Sequence, residues 1–263
     1  MEKLTLNFAF FLLMQSGYVT PGSAPLNQGS LDSCRDTCHP LDCSDVFAQD
    51  LTSDGVYLIY PGGLSSPPIP VYCDMSSDGG PWTVFQKRFD GSVDFYRGWK
   101  EYKSGFGNAD GEYWLGLQNI HLLTRKRSYH LRVDLVDFDN DARYGIYDAF
   151  SLSLFAIDLE EDGYKLHIGA FKDGDPNKPI GDSLKTQNEM KFSTHDKDRD
   201  NSVGNCAASF RGASWYNACH MANLNGLYLK GKNDQYGKGM TWKSWKGQHY
   251  SLKACEMKIA IKK

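Results

Sequence analysis

The chain has 263 residues, of which 41% are hydrophobic and 23% charged, and its formal net charge at pH 7 is −3. This composition is typical of a globular protein, and chains of ~200–250 residues can form one domain. The single compact basic cluster, Arg125-Lys126-Arg127, has no aromatic residue interleaved with it, so nucleic acid is not an expected partner.

The first 24 residues have the features of a secretory signal peptide. Lys3 precedes an apolar run from Leu4 to Met14, and small residues between 17 and 24 offer alternative cleavage sites. The run is shorter than the ~20 apolar residues that a membrane span requires. We therefore expect secretion to the extracellular space and no membrane partner. An N-terminal helix of the domain is the alternative, but the segment has no polar face.

Residues 25–37 are small and polar and are predicted to form a flexible tail, followed by one folded domain over 38–263. Apolar and polar residues alternate in several stretches, which is typical of half-buried strands. The predicted strands cover 71–75, 82–89, 131–135, 164–168 and 257–261. A short helix is predicted over 120–124, and the segment 173–250, which has little periodicity, is predicted to be rich in loops.

Seven cysteines in a secreted chain indicate disulfides with one thiol left over. Two local pairs are predicted: Cys43–Cys73 and Cys206–Cys219. Loops of that length stabilise the fold by roughly 3 kcal/mol each. Cys34 and Cys38 are candidates for an interchain disulfide, whereas Cys255 alternates in register with Met257 and is expected to face the core. Zinc is not expected, because the chain has no Cys-x2-Cys pair.

The segment 196–206 reads Asp-Lys-Asp-Arg-Asp-Asn-Ser-Val-Gly-Asn-Cys. Its three alternate aspartates supply the hard oxygens that calcium prefers, and Gly204 lets the backbone curl so that carbonyls complete the shell. The loop is not an EF-hand, because Asn201 stands where glycine is required and no glutamate closes the loop. An acidic turn with solvated charges is the alternative, and the interleaved Lys197 and Arg199 weaken the argument from charge.

Several ordered motifs resemble the fibrinogen C-terminal-like domain family. They are Asp54-Gly-Val-Tyr57, Val71-Tyr-Cys-Asp74, Trp82-Thr-Val-Phe-Gln-Lys-Arg88, Phe95-Tyr-Arg-Gly-Trp99, Gly111-Glu-Tyr-Trp-Leu-Gly116 and Leu224-Asn-Gly226. The resemblance covers 43–263 and implies an α+β fold: a central, mostly antiparallel sheet that the C-terminal strand joins, and a loop-rich calcium-binding subdomain. It also implies that the domain has no catalytic activity.

The resemblance implies a specific calcium site. Family members hold the ion with two aspartates and two backbone carbonyls, which correspond here to Asp198, Asp200, Ser202 and Gly204. Asp196 would then lie outside the ligand set. The ion would shape the neighbouring pocket without touching its ligand.

The resemblance further implies a pocket for the acetyl group of acetylated carbohydrates. The implied lining residues are Phe210, Cys219, His220, Tyr236 and Gly237. Backbone N–H groups around Cys219 and His220 would hold the acetyl carbonyl, and the Ala218–Cys219 bond is expected to be cis. Gly237 stands where alanine is more usual, which is expected to widen the socket, and His220 is expected to titrate near physiological pH. A packed aromatic core is the alternative, and it is preferred for Trp215.

We therefore predict a secreted, calcium-dependent, non-enzymatic binding protein of the extracellular matrix or of innate immunity. Because one small pocket binds weakly, a disulfide-linked homo-oligomer, from dimer to tetramer or higher, is expected. Expected partners are acetylated carbohydrates and matrix fibre proteins such as elastin, fibrillin or collagen. Integrins would have to bind without Arg-Gly-Asp, which does not occur in the chain.

Three other functions are alternatives to this one. One is a protein of matrix assembly and cell adhesion that does not bind sugar. Another is a hydrolase that uses Cys219 with His220, or His220 with Asp200, although residues adjacent in sequence rarely meet in the geometry that a nucleophile and its base require. The third, a polymer subunit like fibrinogen itself, would need a coiled coil.

Overall fold

The structure is a computed structural model that describes residues 39–63 and 66–262. The predicted signal peptide and flexible tail lie outside the described residues. Cys34 and Cys38 lie outside them too, so the interchain disulfide stays a prediction.

Fourteen strands and six short α-helices form in these residues. The strands are β1 (Gly55–Ile59), β2 (Ile69–Asp74), β3 (Trp82–Arg88), β4 (Phe106–Gly107), β5 (Tyr113–Trp114), β6 (Tyr129–Val136), β7 (Ala142–Leu152), β8 (Leu166–Ile168), β9 (Phe171–Asp173), β10 (Ala222–Asn223), β11 (Gly231–Lys232), β12 (Thr241–Trp242), β13 (Tyr250–Ser251) and β14 (Ala254–Ile261). The helices are α1 (Cys43–Phe47), α2 (Trp99–Ser104), α3 (Leu117–Lys126), α4 (Leu159–Asp162), α5 (Cys206–Phe210) and α6 (Lys243–Lys246), and a 3-10 helix covers Lys185–Gln187.

Ten of the strands form one sheet in which every pairing is antiparallel. Its main path runs β1-β2-β3-β14-β6-β7-β8, so the C-terminal strand lies in the middle of the sheet. Met257 and Ile259 on β14 are buried, and so is Cys255, which is 1% exposed and faces the core as predicted. The expected α+β fold with a central, mostly antiparallel sheet is confirmed.

Four of the five predicted strands coincide with β2, β3, β6 and β14. The fifth is reduced to the three residues of β8, because Tyr164 adopts a φ of 51°, which is incompatible with extended backbone. Sequence reasoning missed β7, the longest strand. Its buried positions change phase between Tyr147 and Phe150, beside a register shift against β6, so the simple alternation that marks a strand is broken.

The helix predicted over 120–124 is α3, which begins earlier and ends later than predicted. It buries Leu117, Ile120 and Leu123, whose spacing of three residues places them on one face. Among residues 39–63 and 66–262, no helix is long and apolar enough to cross a membrane.

The segment between β9 and β14 contains only two-residue strands, which confirms the predicted loop-rich half. Buried side chains connect its loops to one another and to the sheet. The Trp215 indole donates to the Tyr164 carbonyl at 2.8 Å, and the Trp242 indole donates to the Gly181 carbonyl at 2.9 Å. Trp215 therefore belongs to the core, as predicted, and this half of the domain positions the candidate site.

Candidate functional site

The predicted calcium loop precedes α5, and Asp200 organises it. One carboxylate oxygen of Asp200 accepts from the Ser202 amide at 2.8 Å, and the other accepts from the Cys206 amide at 2.8 Å. The Asp198 carboxylate accepts from the Asp200 amide at 3.2 Å. These bonds wrap the chain around two neighbouring carboxylates.

The two cations interleaved with the aspartates are held elsewhere. Lys197 lies 2.8 Å from the Glu160 carboxylate, and Arg199 lies 3.8 Å from the same carboxylate. Both also lie over the Trp99 ring, at 4.7 Å and 4.2 Å from its centroid. Both side chains are therefore held at Glu160, which also contacts Lys103 at 2.6 Å, and neither forms an ion pair with Asp198 or Asp200.

Asp196 does not belong to the carboxylate pair of Asp198 and Asp200, because it makes contacts of its own. Its carboxylate accepts from the Trp99 amide at 2.9 Å and from the Thr194 hydroxyl at 2.6 Å. Burial would raise the pKa of Asp196, but these hydrogen bonds outweigh it and lower the pKa. Asp196 thus fixes the loop to the start of α2.

Asp198 and Asp200 have no ion-pair partner within residues 39–63 and 66–262. Burial, together with the nearby Asp198 carboxylate, raises the pKa of Asp200 although the Cys206 and Ser202 amides oppose the shift. Two adjacent carboxylates without a counter-charge are favourable to a bound cation. The carbonyls of Ser202 and Gly204 accept no hydrogen bond within the described residues, which leaves them available as ligands.

The described residues contain no group of three or more His, Cys, Asp or Glu side chains suited to a metal. A site with only two side-chain ligands therefore needs backbone carbonyls, as calcium sites commonly use and zinc sites do not. The donor set at Asp198 and Asp200 fits calcium in this respect.

Four of the five predicted pocket residues line one cavity of about 570 Å³: Phe210, Cys219, His220 and Tyr236. This volume lies within the ~300–1,000 Å³ that is usual for ligand pockets. The Phe210 and His220 rings meet edge to face, with centroids 4.6 Å apart. Tyr236 is 54% exposed and packs against His249 at 5.3 Å, so it forms an outer wall of the cavity.

Gly237, the fifth predicted residue, does not line the cavity. It lies behind the aromatic pair: a Cβ atom there would be 2.9 Å from the Phe210 ring and 3.3 Å from His220 Nε2. Its φ of 69° is in the left-handed region, which favours glycine. Gly237 therefore allows Phe210 to approach His220, and it does not widen the socket from within as predicted.

The cavity wall between Asn217 and Met221 presents free backbone donors. The Ala218–Cys219 peptide bond is cis, as the family resemblance implied. The Asn217 amide donates to the Cys219 carbonyl at 2.7 Å, whereas the amides of Cys219 and His220 donate to no acceptor within the described residues. Two N–H groups are thus available to a ligand carbonyl.

Covalent and hydrogen bonds link this wall to the calcium loop. Cys206 and Cys219 form the predicted disulfide, and Cys206 is the residue whose amide donates to Asp200. Asn201 also bonds Asn217 twice, through its backbone amide and its side-chain amide, each at 3.0 Å. Any ordering of the loop by an ion would therefore reach the wall directly.

The expectation that His220 titrates near physiological pH is wrong. Burial lowers the pKa of His220 to about 4, although the backbone of Gly237 partly opposes the shift. Neither ring nitrogen has a hydrogen-bond partner in the part of the chain that the structure describes, and both are shielded from solvent. The imidazole is therefore neutral between pH 5 and 8.

Sequence reasoning also missed the lining residues that come from other segments of the chain: Thr186, Lys243 and Gln248. Gln248 donates to the His220 carbonyl at 3.1 Å, and its side-chain carbonyl has no partner among the described residues. These residues lie far from α5 in the chain, and no local pattern marks them. Only the tertiary fold brings them to the cavity.

The second predicted disulfide, Cys43–Cys73, is also formed and joins α1 to β2.

The sequence of this chain matches a protein-family model, that of the C-terminal globular domain of fibrinogen beta and gamma chains, over residues 39–262. The chain therefore belongs to the fibrinogen C-terminal domain family.

Among curated proteins, the chain is similar to microfibril-associated glycoprotein 4 from Homo sapiens. The two are 56% identical over 243 residues, which cover 91% of this chain and 93% of that protein. Among solved structures, the fibrinogen-like globe domain of human ANGPTL2 superposes with a TM-score of 0.78 at 38% identity, covering 85% of this chain and 100% of that one.

Lamprey fibrin D-dimer, solved in complex with the peptide ligand Gly-His-Arg-Pro-amide, superposes with a TM-score of 0.75 at 33% identity. The match covers 88% of this chain and 81% of that one. The family and the fold are thus established by sequence and by structure.

Proposed function

We propose that this chain is a secreted, extracellular-matrix-associated binding protein whose cavity takes the acetyl group of a glycan when calcium occupies the loop at Asp198 and Asp200. Similarity to a microfibril-associated glycoprotein over 91% of the chain supports the matrix role. The observation that carries the calcium dependence is the pair of adjacent carboxylates without a counter-charge. It is joined to the cavity wall through the Cys206–Cys219 disulfide.

The chemistry of the cavity matches an acetyl group in two respects. The edge-to-face rings of Phe210 and His220 offer an apolar surface to the methyl group. The free amides of Cys219 and His220 offer donors to the carbonyl oxygen. Because the imidazole is neutral, the aromatic pair that would face the methyl group carries no charge, while the exposed Lys243 also lines the cavity.

Bound calcium would fix the shape of the cavity wall and would not contact the ligand. Bound through Asp198, Asp200 and the carbonyls of Ser202 and Gly204, the ion would neutralise the carboxylate pair and fix the loop. The hydrogen bonds from Asn201 to Asn217 would then hold the two amides in place. The residues that touch the glycan are separate from those that hold the ion.

The two hydrolase routes fail on geometry. The Cys219 sulfur is bonded to Cys206 and is not a free nucleophile. His220 has no hydrogen bond to a carboxylate among the described residues, and the Asp200 carboxylate is engaged by backbone amides. These contacts support a binding role without catalysis.

The test is retention of the full chain on acetylated resin and on the same resin after deacetylation, in calcium and then in chelator. We expect retention only on acetylated resin with calcium. The substitution Asp200→Asn removes the retention, because it halves the charge of the pair. The matched control is Asp110→Asn, an exposed aspartate in another loop, which leaves retention unchanged.

Two results would decide against the proposal. Equal retention before and after deacetylation would remove the acetyl group as the ligand. Retention that survives both chelator and Asp200→Asn would remove calcium. If no resin retains the chain but it still binds elastin, fibrillin or collagen, the alternative of matrix assembly without sugar binding replaces the lectin-like role.

We further propose that Cys34 or Cys38 links chains into a homo-oligomer, because the two disulfides and the buried Cys255 account for five of the seven cysteines and leave these two for a bond between chains. Cys255 is buried in the sheet and is not available for this link. Several copies of a weak pocket on one particle raise its avidity. Electrophoresis without reducing agent should show at least a dimer, and Cys34→Ser/Cys38→Ser should abolish it; an unchanged dimer in that variant contradicts the proposal.

A further inference from the structure

A groove of about 430 Å³ crosses one end of the central sheet and shares no lining residue with the acetyl cavity. Its floor follows the strand register: Ile261 on β14 pairs with Tyr129, Tyr129 pairs with Phe150, and Phe150 pairs with Ile168. Four neighbouring strands therefore lie beneath it, a width of ~14 Å at the usual strand spacing. The C-terminal end of α3 forms one wall.

The groove is positively charged although the whole chain is negative. Arg125, Lys126, Arg127 and Lys262 line it, and its lining contains no Asp or Glu. Arg127 supplies no free positive charge, because its guanidinium lies between two carboxylates, 2.9 Å from Asp42 and 2.9 Å from Asp45. These contacts leave Arg125, Lys126 and Lys262 as cations along the groove, with Lys126 Nζ placed toward the neighbouring loop, 3.1 Å from where a Cβ on Gly63 would lie.

Those three, Arg125, Lys126 and Lys262, are exposed and have no ion pair within residues 39–63 and 66–262. Cations at the end of a helix complement its dipole, which accounts for Arg125 and Lys126 at the end of α3. This explanation does not cover Lys262, which follows β14 and whose amide donates to the Ser128 carbonyl. Cations from two separate elements thus converge on one concave surface.

We propose that this groove binds an anionic polysaccharide of the matrix, one that carries sulfate or carboxylate groups. Such a chain is long enough to cross four strands and presents charges at intervals, which suits an open groove with spaced cations. The hydroxyls of Ser128 and Ser151 line the same surface and suit sugar hydroxyls.

Nucleic acid is the less favoured polyanion here. Single strands are held by aromatic faces on which the bases stack. The aromatic residues of this floor, Tyr129 and Phe150, are 2% and 3% exposed, so neither presents a free ring face. The third ring of the lining, His167, is held by the Glu189 carboxylate at 2.7 Å, so the groove offers charge and hydroxyl groups without a row of free ring faces.

The test uses the full chain on heparin-agarose in a sodium chloride gradient, with affinity for soluble heparin measured at physiological salt. We expect binding in chelator and in excess N-acetylglucosamine, because the groove shares nothing with the calcium loop or the acetyl cavity. Arg125→Ser/Lys126→Ser/Lys262→Ser should weaken binding about tenfold or more, since surface charge attraction persists over ~8 Å at this ionic strength. Thermal unfolding should be unchanged, because all three side chains are exposed.

The matched control, Lys100→Ser/Lys172→Ser/Lys232→Ser, removes the same net charge from exposed lysines outside the groove and should keep the affinity. Equal weakening in both triple variants would mean that total charge alone decides binding and would overturn the proposal. Loss of heparin binding in chelator would assign it to the calcium-dependent cavity instead. A duplex oligonucleotide that binds as tightly as heparin would overturn the assignment to polysaccharide.

Discussion

The central sheet and the loop-rich half between β9 and β14 both bury large aromatic side chains, but they satisfy their backbone polar groups differently. In the sheet, β14 is paired on both sides, so ladder hydrogen bonds meet the need with almost any side chain. In the loops, side-chain amides do so: Asn223 donates to the carbonyls of Phe210 and Gly237, and Asn225 donates to that of Ala213.

This difference has a consequence for function. A ladder tolerates substitution but leaves little freedom for irregular backbone, whereas loops held by specific side chains can present free amides such as those of Cys219 and His220. Those loops depend on a few contacts, and the proposed ion would be one of them. The proposed binding site therefore lies in the half of the domain whose stability depends on the fewest contacts.

The largest expected effect is in the sheet. Lys258 is buried on β14 and lies 2.6 Å from Asp74 and 2.8 Å from Asp134. Lys258→Ala leaves the Asp74 carboxylate unpaired and should lower the free energy of unfolding by about 3–5 kcal/mol. Denaturant titration measures the loss, and the double variant Asp74→Asn/Lys258→Met should recover most of it.

The control for Lys258→Ala is Lys253→Ala, which removes only a contact with Asn140 at the surface and should change stability by about 0.5 kcal/mol or less. Equal loss in the two variants would show that the buried pair contributes nothing particular to the sheet.

Removal of calcium by a chelator should destabilise only the loops between β9 and β14. Extracellular calcium modules bind at ~10⁻⁴–10⁻³ M, so 10 mM calcium should stabilise the loops by about 1.5–3 kcal/mol. Without the ion, trypsin should cleave after Lys197 or Arg199 more rapidly, while the sheet stays folded. Unchanged cleavage in chelator, or complete unfolding, would contradict the contrast between the two halves.

Gly237→Ala should have a smaller effect, confined to the cavity. The added Cβ meets the Phe210 ring and the residue must keep a positive φ, so we expect a loss of about 1–2 kcal/mol and weaker retention on acetylated resin. Gly111→Ala is the control, since its Cβ would meet only an atom 3.8 Å away. Retention that rises in Gly237→Ala would contradict the role of the glycine behind Phe210.

The smallest expected effect is a difference in how the stability of the two halves depends on pH. The folded pKa of His220, about 4, is below its unfolded value, so the stability of the neutral imidazole is present above about pH 6.5 and is lost as pH falls toward 4. The folded pKa of Asp74 is lowered to about 2, chiefly through Lys258 and Ser77 acting against burial, so that stability is lost only below about pH 4.

Denaturant titration at several pH values checks this order. His220→Gln should flatten the decline between pH 6.5 and 4, and Asp74→Asn should flatten the decline below it. Retention on acetylated resin should be constant from pH 5.5 to 8. A binding midpoint near pH 6.5 would contradict the neutral His220.

Much of the sheet was predictable, because apolar residues alternate along the sequences of β2, β6 and β14, and β3 is a short run rich in apolar and aromatic residues. The strand β7 was not, since its phase changes beside a register shift that only its neighbour β6 imposes. The candidate site, too, was only partly predictable from the sequence. The family motifs identified Phe210 and His220, but Gln248 reaches the cavity through a fold that no local pattern encodes.

The sequence by itself determined the two disulfides and the positions of four sheet strands. Only the tertiary structure decided which charged side chains form ion pairs with one another. Lys197 and Arg199 alternate with the aspartates in the chain, yet both pair with Glu160 in space, which leaves Asp198 and Asp200 without a counter-charge. Coulomb interactions depend on distance in the folded molecule, and spacing along the chain does not fix that distance in a loop.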